Sequence, residues 1–153
     1  MWFRDLISNQ FLLTGISSLL WAQVLKTIIH ALVTHRLDLS RLVGDGGMPS
    51  GHSATVSSFA VAAAFVYGLD SFEFAIAAVL AVIVCKDAMG VRLETGKRAA
   101  IINEIVRAFD ELSSGKLTDV KLKEFVGHTP IQVLAGILLG IVNAVLLHLF
   151  IFP

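Results

Sequence analysis

Four long apolar stretches constrain this chain more than any other feature of its sequence. They cover residues 11–33, 54–69, 72–85 and 131–152. A helix that crosses a bilayer needs about 20 predominantly apolar residues, and the first and last stretches approach that length. The two middle stretches are shorter, and we expect them to span as a packed hairpin whose polar flanks lie at an interface or in the protein interior.

The composition also indicates a membrane protein. Hydrophobic residues make up 56% of the 153 residues, and the mean hydropathy of +0.79 is too high for an ordinary soluble domain. A net charge of zero argues against a nucleic-acid partner, and the single cysteine, Cys85, excludes an intrachain disulfide and is interpreted as a packing residue. We therefore predict an all-α integral membrane protein, a compact bundle of about four membrane helices in one domain over residues 1–153.

Basic residues are distributed unevenly between the predicted loops. The loops at 34–49 and 86–130 contain most of the lysines and arginines, whereas the opposite side has only Arg4. Because cytoplasmic loops are enriched in these residues, both long loops are predicted to be cytoplasmic.

The second long loop contains an amphipathic pattern. Its apolar residues recur at helical spacing, which predicts a helix on the cytoplasmic side that lies on the membrane or on the bundle. A further short helix is predicted from about residue 118 to residue 126, before Gly127. The apolar positions are Ile101, Ile102, Ile105, Val106, Phe109 and Leu112, opposite Asn103, Glu104, Arg107, Asp110 and Glu111.

Two predicted helix starts each present a histidine. Ser50 is predicted to be the N-cap residue of the helix that follows, and His52 lies in its first turn. His128 precedes Thr129, a second N-cap residue, and Pro130, which suits the first helical position. The unpaired amides and the positive end of the dipole at a helix start favour an anion such as phosphate. The charge distribution places both starts on one side, where they are expected to face one another across one pocket.

Two histidines at an anion site offer a nucleophile and a general acid. The residues alone leave another interpretation open, in which His52 and His128 are polar residues at helix ends, hydrogen-bonded to backbone or to lipid headgroups. The histidines and carboxylates of the chain lack metal-ligand spacing, so neither a metal ion nor another cofactor is expected.

The sequence around both histidines resembles the type-2 phosphatidic acid phosphatase superfamily. Pro49-Ser50-Gly51-His52 is similar to its central motif, and His128 with Pro130 and the Val-Leu-Ala-Gly run at 133–136 is similar to its third motif. The order of motifs is still more similar to the divergent bacterial and plastid branch, which shares the Asp-Ala-Met-Gly-Val-Arg run at 87–92. The resemblance covers roughly residues 21–140 and predicts a location in a bacterial cell membrane.

The resemblance implies a phosphatase that acts on a membrane lipid phosphate through a phosphohistidine. His128 would attack phosphorus, and His52 would protonate the departing alkoxide. Ser50 and the amides of Gly51 and His52 would bind the phosphoryl oxygens. Phosphatidate, phosphatidylglycerol phosphate and polyprenyl phosphate are the expected substrate classes, and neither the individual lipid nor the oligomeric state is predicted.

Lys26 lies inside the first apolar stretch, where an ammonium group is costly without a partner. It matches the lysine of the superfamily's first motif, which implies that it binds phosphate. The alternative is that it extends to lipid headgroups. Gln23 and His30 share its helical face, and His30 is interpreted as an interior histidine.

Two arginines of the superfamily motifs are missing from this chain. Val33 stands where the first motif has an arginine, so Arg36 or Arg41 would have to take its place. Leu122 stands where the third motif has an arginine, and Arg92 is the candidate substitute.

Gln132 stands where the superfamily has a carboxylate that orients the nucleophilic imidazole and stabilises its positive charge. A glutamine accepts a hydrogen bond but cannot neutralise an imidazolium, so Asp87 is the candidate for the missing charge. A capping box formed by Thr129 and Gln132 explains the glutamine equally well. A second function therefore stays open, that of a non-catalytic membrane protein that binds anionic lipid or phosphate.

Overall fold

The described part of the chain is built from helices. The computed structural model describes residues 2–42, 44, 46–112, 122 and 127–152, which contain no strand, and this confirms the all-α prediction. The helices are α1 (Trp2–Ile7), α2 (Gln10–Thr34), a short 3-10 helix (Leu39–Leu42), α3 (Gly51–Tyr67), α4 (Phe72–Met89), α5 (Val91–Leu112) and α6 (Pro130–Phe150).

Three helical stretches of the described residues are long and apolar enough to cross a membrane. They are Gln10–Thr34, Phe72–Phe109 and Pro130–Phe150. α3 has 17 residues, which is shorter than the roughly 20 that a bilayer requires. Most large apolar side chains on α2, α4 and α6 are exposed on the outside of the bundle, as expected where lipid surrounds a protein. The structure supports an integral membrane protein, and a count of four spans remains a prediction.

α3 and α6 pack against each other as parallel helices. Gly136 lies against Ser50 and Ser53, and Gly140, one turn further along α6, lies against Ala54, one turn further along α3. A Cβ atom on either glycine would come closer than 3.0 Å to atoms of α3. The two glycines therefore serve helix packing within the chain, as the small-residue spacing indicates. Because the helices are parallel, both begin at the same end of the bundle.

α2 and α4 run antiparallel to α3. Gly15 near the start of α2 faces Thr55, whereas Leu19 and Ala22, further along α2, approach Gly51 at the start of α3. α4 follows α3 after a four-residue turn, whose Ser71 caps α4 by accepting a hydrogen bond from the amide of Phe74 at 3.1 Å. The end of α4 therefore returns to the end of the bundle where α3 and α6 begin.

A buried amide links α6 to α2 in the apolar interior. Asn143 Nδ2 donates to the Thr14 carbonyl oxygen at 3.2 Å, to Ser17 Oγ at 2.9 Å and to Ser18 Oγ at 2.8 Å. Ser58 of α3 donates to the same Thr14 carbonyl at 3.4 Å. In a membrane, the hydrophobic effect does not drive apolar helices together, because the lipid tails are equally apolar. Hydrogen bonds between helices therefore contribute to the stability of the bundle.

α5 is the predicted amphipathic helix, and it begins earlier than the apolar pattern suggested, at Val91. Its apolar residues Ile101, Ile102 and Ile105 are exposed, as expected for a helix that lies on a membrane surface. Whether that surface is cytoplasmic remains a prediction. The short helix predicted at 118–126 falls almost wholly outside the described residues.

Asn103 of α5 is buried and holds one residue of the following loop. Its Nδ2 donates to the Leu122 carbonyl at 2.9 Å, and its Oδ1 accepts from the Leu122 amide at 3.0 Å. A single side chain thereby satisfies both backbone groups of Leu122, in the way that a neighbouring strand would.

Candidate functional site

Two main-chain hydrogen bonds assemble the end of the bundle where α3 and α6 begin. The amide of Ser50 donates to the carbonyl oxygen of Gln132 at 3.0 Å, which joins the start of α3 to the first turn of α6. The amide of His128 donates to the carbonyl oxygen of Ala88 at 3.0 Å, which joins the segment that precedes α6 to the end of α4. Three separate segments of the chain are thus fixed at one place without the use of any side chain.

Both helix starts have the caps that the sequence predicts. Ser50 Oγ accepts from the amide of Ser53 at 3.4 Å. Thr129 and Gln132 form a capping box, in which Thr129 Oγ1 accepts from the Gln132 amide and Gln132 Oε1 accepts from the Thr129 amide at 3.0 Å. The structural interpretation of Gln132 is therefore correct, because its side-chain oxygen is used to begin α6.

The fold brings the two motif histidines together. The ring centroids of His52 and His128 are 6.0 Å apart, and the ring planes are inclined by 58°. His128 is buried, with 4% of its surface exposed, whereas His52 is exposed. A nucleophile must approach phosphorus to about 3–3.5 Å and a general acid must lie within about 2.6–3.2 Å of the leaving oxygen. The two rings are close enough for one small ligand to contact both.

The two helix starts also concentrate positive potential. The first amides of a helix have no main-chain partner within it, and each helix carries a partial positive charge at its start. Because α3 and α6 are parallel and in close contact at Gly136, these two charges lie side by side. An anion placed near His52 reduces the repulsion between them, so the arrangement favours a phosphate over a neutral or cationic group.

Lys26 is buried against the glycine-rich loop that precedes α3. Only 5% of its surface is exposed, its Nζ donates to the Gly44 carbonyl at 3.3 Å, and its methylene groups pack on Gly47. Gly47 has a φ of +83°, and a Cβ there would lie 3.2 Å from Lys26 Cγ. A glycine suits this position for two reasons: it tolerates the left-handed backbone, and it leaves space for the stem of Lys26.

The other motif residues lie around the histidine pair to different degrees. Ser50 is completely buried behind the first turn of α3, where the structure shows its cap contact. Gly51 is buried against Leu19 of α2. Asp87 is half-buried and precedes Ala88, the residue whose carbonyl accepts from the His128 amide. The predicted roles of these residues in binding or catalysis stay predictions.

Arg41 and Arg92, the two proposed arginine substitutes, have side chains outside the described part of the structure. Within α5, Lys97 forms an exposed ion pair with Glu94, with 2.6 Å between Lys97 Nζ and Glu94 Oε1. Within the described residues, no group of three or more histidine, cysteine, aspartate or glutamate side chains is placed to hold a metal ion.

The sequence did not single out His30 as a site residue, but the structure places it in a cavity with Lys26. The cavity, of about 200 Å³, lies between the later half of α2 and the glycine-rich loop. The four-residue spacing from Lys26 puts both side chains on one helical face, and this shared face was the signal that the sequence offered. The lining residues are Lys26, Ile29, His30, Val33, Gly47 and Met48.

The described chain is an all-helical membrane bundle with two histidines at adjacent helix starts, and comparison with known sequences shows its family. The model of the Divergent PAP2 family matches residues 7–143. The chain belongs to that family. It is 39% identical over 155 residues to an uncharacterized membrane protein, YuiD, from Bacillus subtilis strain 168, and the match covers 95% of this chain and 98% of that protein. No solved structure matches significantly.

Proposed function

We propose that this protein is a lipid phosphate phosphatase that works through a phosphohistidine on His128. The observation that carries the proposal is the pair of histidine rings 6.0 Å apart where two parallel helices begin. Membership of the Divergent PAP2 family supports the same chemistry. The substrate would be a membrane lipid with a terminal phosphate, of the phosphatidate, phosphatidylglycerol phosphate or polyprenyl phosphate class.

In the proposed reaction, a nitrogen of His128 attacks phosphorus and the bond from phosphorus to the lipid oxygen breaks. His52 gives its proton to that oxygen, so the lipid leaves as an alcohol. His52 then removes a proton from water, which attacks the phosphohistidine, releases inorganic phosphate and restores His128. Lys26, the amides of Gly51 and His52, and the hydroxyl of Ser50 would stabilise the charge on the phosphoryl oxygens.

Asp87, Gln132 and two arginines have supporting roles in the proposal. Asp87 would supply the negative charge that Gln132 cannot, while Gln132 positions the first turn of α6. Arg41 and Arg92 would complete the positive surroundings of the phosphate. No step of the reaction as written needs a metal ion.

Phosphate release in the presence of a chelator tests the proposal. The purified protein in detergent would be given a panel of lipid phosphates, and His128→Ala would be compared with His148→Ala, a matched change at the far end of α6. We expect release that His128→Ala abolishes and His148→Ala leaves intact. With a substrate labelled in its phosphate, we expect acid-labile label on the protein that depends on His128. Release that survives His128→Ala would overturn the mechanism.

A second candidate function is the binding of anionic lipid without catalysis. It is favoured by Gln132, because the usual carboxylate is absent and the glutamine oxygen already accepts the Thr129 amide. This function predicts lipid phosphate binding but no phosphate release from any substrate, including in the Gln132→Glu variant.

The proposal places the site at the cytoplasmic face of the membrane. A single cysteine introduced at Lys116 in a Cys85→Ser background would be labelled by an impermeant reagent in whole cells or only after lysis. Labelling only after lysis is expected. Labelling of intact cells would place the site on the opposite face.

A further inference from the structure

The cavity beside Lys26 combines two basic side chains with an apolar wall. Lys26 and His30 are one turn apart on α2, and both line the cavity. The other side chains around it are Ile29, Val33 and Met48, which are all exposed and apolar. A cavity of this composition is complementary to a molecule that is anionic at one end and hydrocarbon at the other.

The position of the cavity makes a membrane lipid the matching occupant. α2 is one of the helices long and apolar enough to cross a membrane, so its exposed side chains Ile29 and Val33 are in contact with lipid or lie at its boundary. The opposite wall is the glycine-rich loop, which leads within a few residues to His52. Lys26 contacts both the glycine-rich loop and the cavity, because its stem packs on Gly47 and its side chain lines the cavity.

A second apolar cavity at the other end of the bundle provides a comparison. It is larger, about 370 Å³, and is lined mainly by aromatic and aliphatic side chains, including Phe11, Phe59 and Tyr67. The charged residue on its wall is Glu73, which repels an anionic headgroup. Size alone would favour this second cavity, whereas charge complementarity to an anion favours the one with Lys26.

We propose that the cavity beside Lys26 holds the body of an anionic lipid, and that His30 is a specificity-determining contact for its phosphate headgroup. His30 thereby provides a basic group near Val33, which stands where the first motif of the superfamily has an arginine. The acyl chain lies along Ile29, Val33 and Met48 and extends into the bilayer. The inference deepens the proposed function, on which it rests only for the statement that the bound lipid is the substrate.

Photolabelling in a His128→Ala background tests the inference without turnover. The probe is phosphatidate with a diazirine on one acyl chain, in nanodiscs of phosphatidylcholine, with the labelled residues found by mass spectrometry. We expect labels on Ile29, Val33 or Met48 that unlabelled phosphatidate displaces. Labels spread evenly over the exposed faces of α2, α4 and α6, or not displaced by phosphatidate, would overturn the proposal, because they would indicate ordinary surrounding lipid. Displacement of the probe by inorganic phosphate at equal concentration would also overturn the proposal that a lipid occupies the cavity.

Variants at His30 test the headgroup contact. His30→Leu should weaken phosphatidate binding about tenfold, the effect of losing one hydrogen bond to a charged group, and His30→Arg should restore it. The matched control is His148→Leu, which removes a histidine that stacks on Phe65 at 4.3 Å near the far end of α6. Equal binding by His30→Leu and the control would refute the role of His30.

Binding in the cavity and phosphate release are measured separately, so a failure of this inference can be distinguished from a failure of the proposed function. A protein that binds phosphatidate in the cavity but releases no phosphate keeps the inference and loses the reaction. A protein that hydrolyses phosphatidate while the label lies elsewhere keeps the reaction and loses the inference.

Discussion

The close contact between α3 and α6 makes Gly136, like Gly140, sensitive to any added side-chain atom. In Gly136→Ala, the new Cβ would overlap Ser53 Oγ and the carbonyl oxygen of Ser50, and it would lie 3.2 Å from the Ser50 carbonyl carbon. The Ser53 side chain can rotate away, but the Ser50 carbonyl belongs to the first turn of α3 and cannot. Carbon atoms pack at about 3.5–4.0 Å, so the helices must separate by roughly half an ångström or more at this point.

Forcing a methyl group into a well-packed contact costs about 1–3 kcal/mol of the free energy of unfolding. Gly15→Ala is the matched control, because Gly15 also lies in a membrane helix that faces α3. Its new Cβ would lie 3.5 Å from Thr55 Cγ2, an ordinary contact. Removing a glycine from the interior of a helix gains about 0.5–1 kcal/mol, so the control should be neutral or slightly more stable.

The assay is unfolding of each purified variant by sodium dodecyl sulfate in mixed micelles, followed by tryptophan fluorescence. Gly136→Ala should unfold at a lower mole fraction of the denaturing detergent than the parent protein, and Gly15→Ala should not. If both variants unfold together with the parent, the helices are further apart than the structure places them. The same separation would move His128 from His52, and misplacement by an ångström can reduce catalysis about a hundredfold.

Three further predictions follow from contacts described above. Asn143→Leu should lower the free energy of unfolding by about 0.6–2 kcal/mol in the same detergent titration. Ser17→Ala removes one of the acceptors of the Asn143 amide and should lower it by less. An unchanged transition in Asn143→Leu would contradict the link between α2 and α6. Asn103→Leu removes both the acceptor of the Leu122 amide and the donor to the Leu122 carbonyl, so hydrogen exchange at the Leu122 amide should accelerate by about tenfold, and an unchanged rate would show that Asn103 does not hold this segment. Gln132→Glu keeps a cap acceptor and should leave unfolding within about 0.5 kcal/mol of the parent while it raises phosphate release; an unaltered rate would mean that a missing carboxylate does not limit the reaction.

Local patterns predicted much of the fold and part of the candidate site. The apolar stretches located the long helices, and the cap residues Ser50 and Thr129 located the starts of α3 and α6. The uneven distribution of basic residues placed His52 and His128 at the same end of the bundle, where the structure has them 6.0 Å apart. These features could be predicted because each depends on residues close together in the chain or on the alternation of membrane spans.

Contacts between distant residues could not be predicted in the same way. Asn143 meets Ser17 and Ser18 across most of the chain, and no spacing in the sequence indicates which serines face that amide. The link between Asn103 and Leu122 joins residues that are far apart in the chain, and no spacing in the sequence indicates it. His30 was interpreted as an interior residue from its helical face, whereas the structure places it in a cavity with Met48. The path of the Met48 loop goes with the packing of Lys26 against Gly47, which no local pattern indicates.

The main-chain hydrogen bonds that join Ser50 to Gln132 and His128 to Ala88 have a consequence for the evolution of this family. Any residue other than proline can donate through its backbone amide, so these joints survive substitution of every reactive side chain around them. Descendants of one ancestor can therefore exchange a carboxylate for a glutamine, or lose a histidine, without losing the shape of the site. Enzymes and non-enzymatic lipid receptors built on this scaffold would then differ by a few point mutations, and activity would have to be measured for each protein separately.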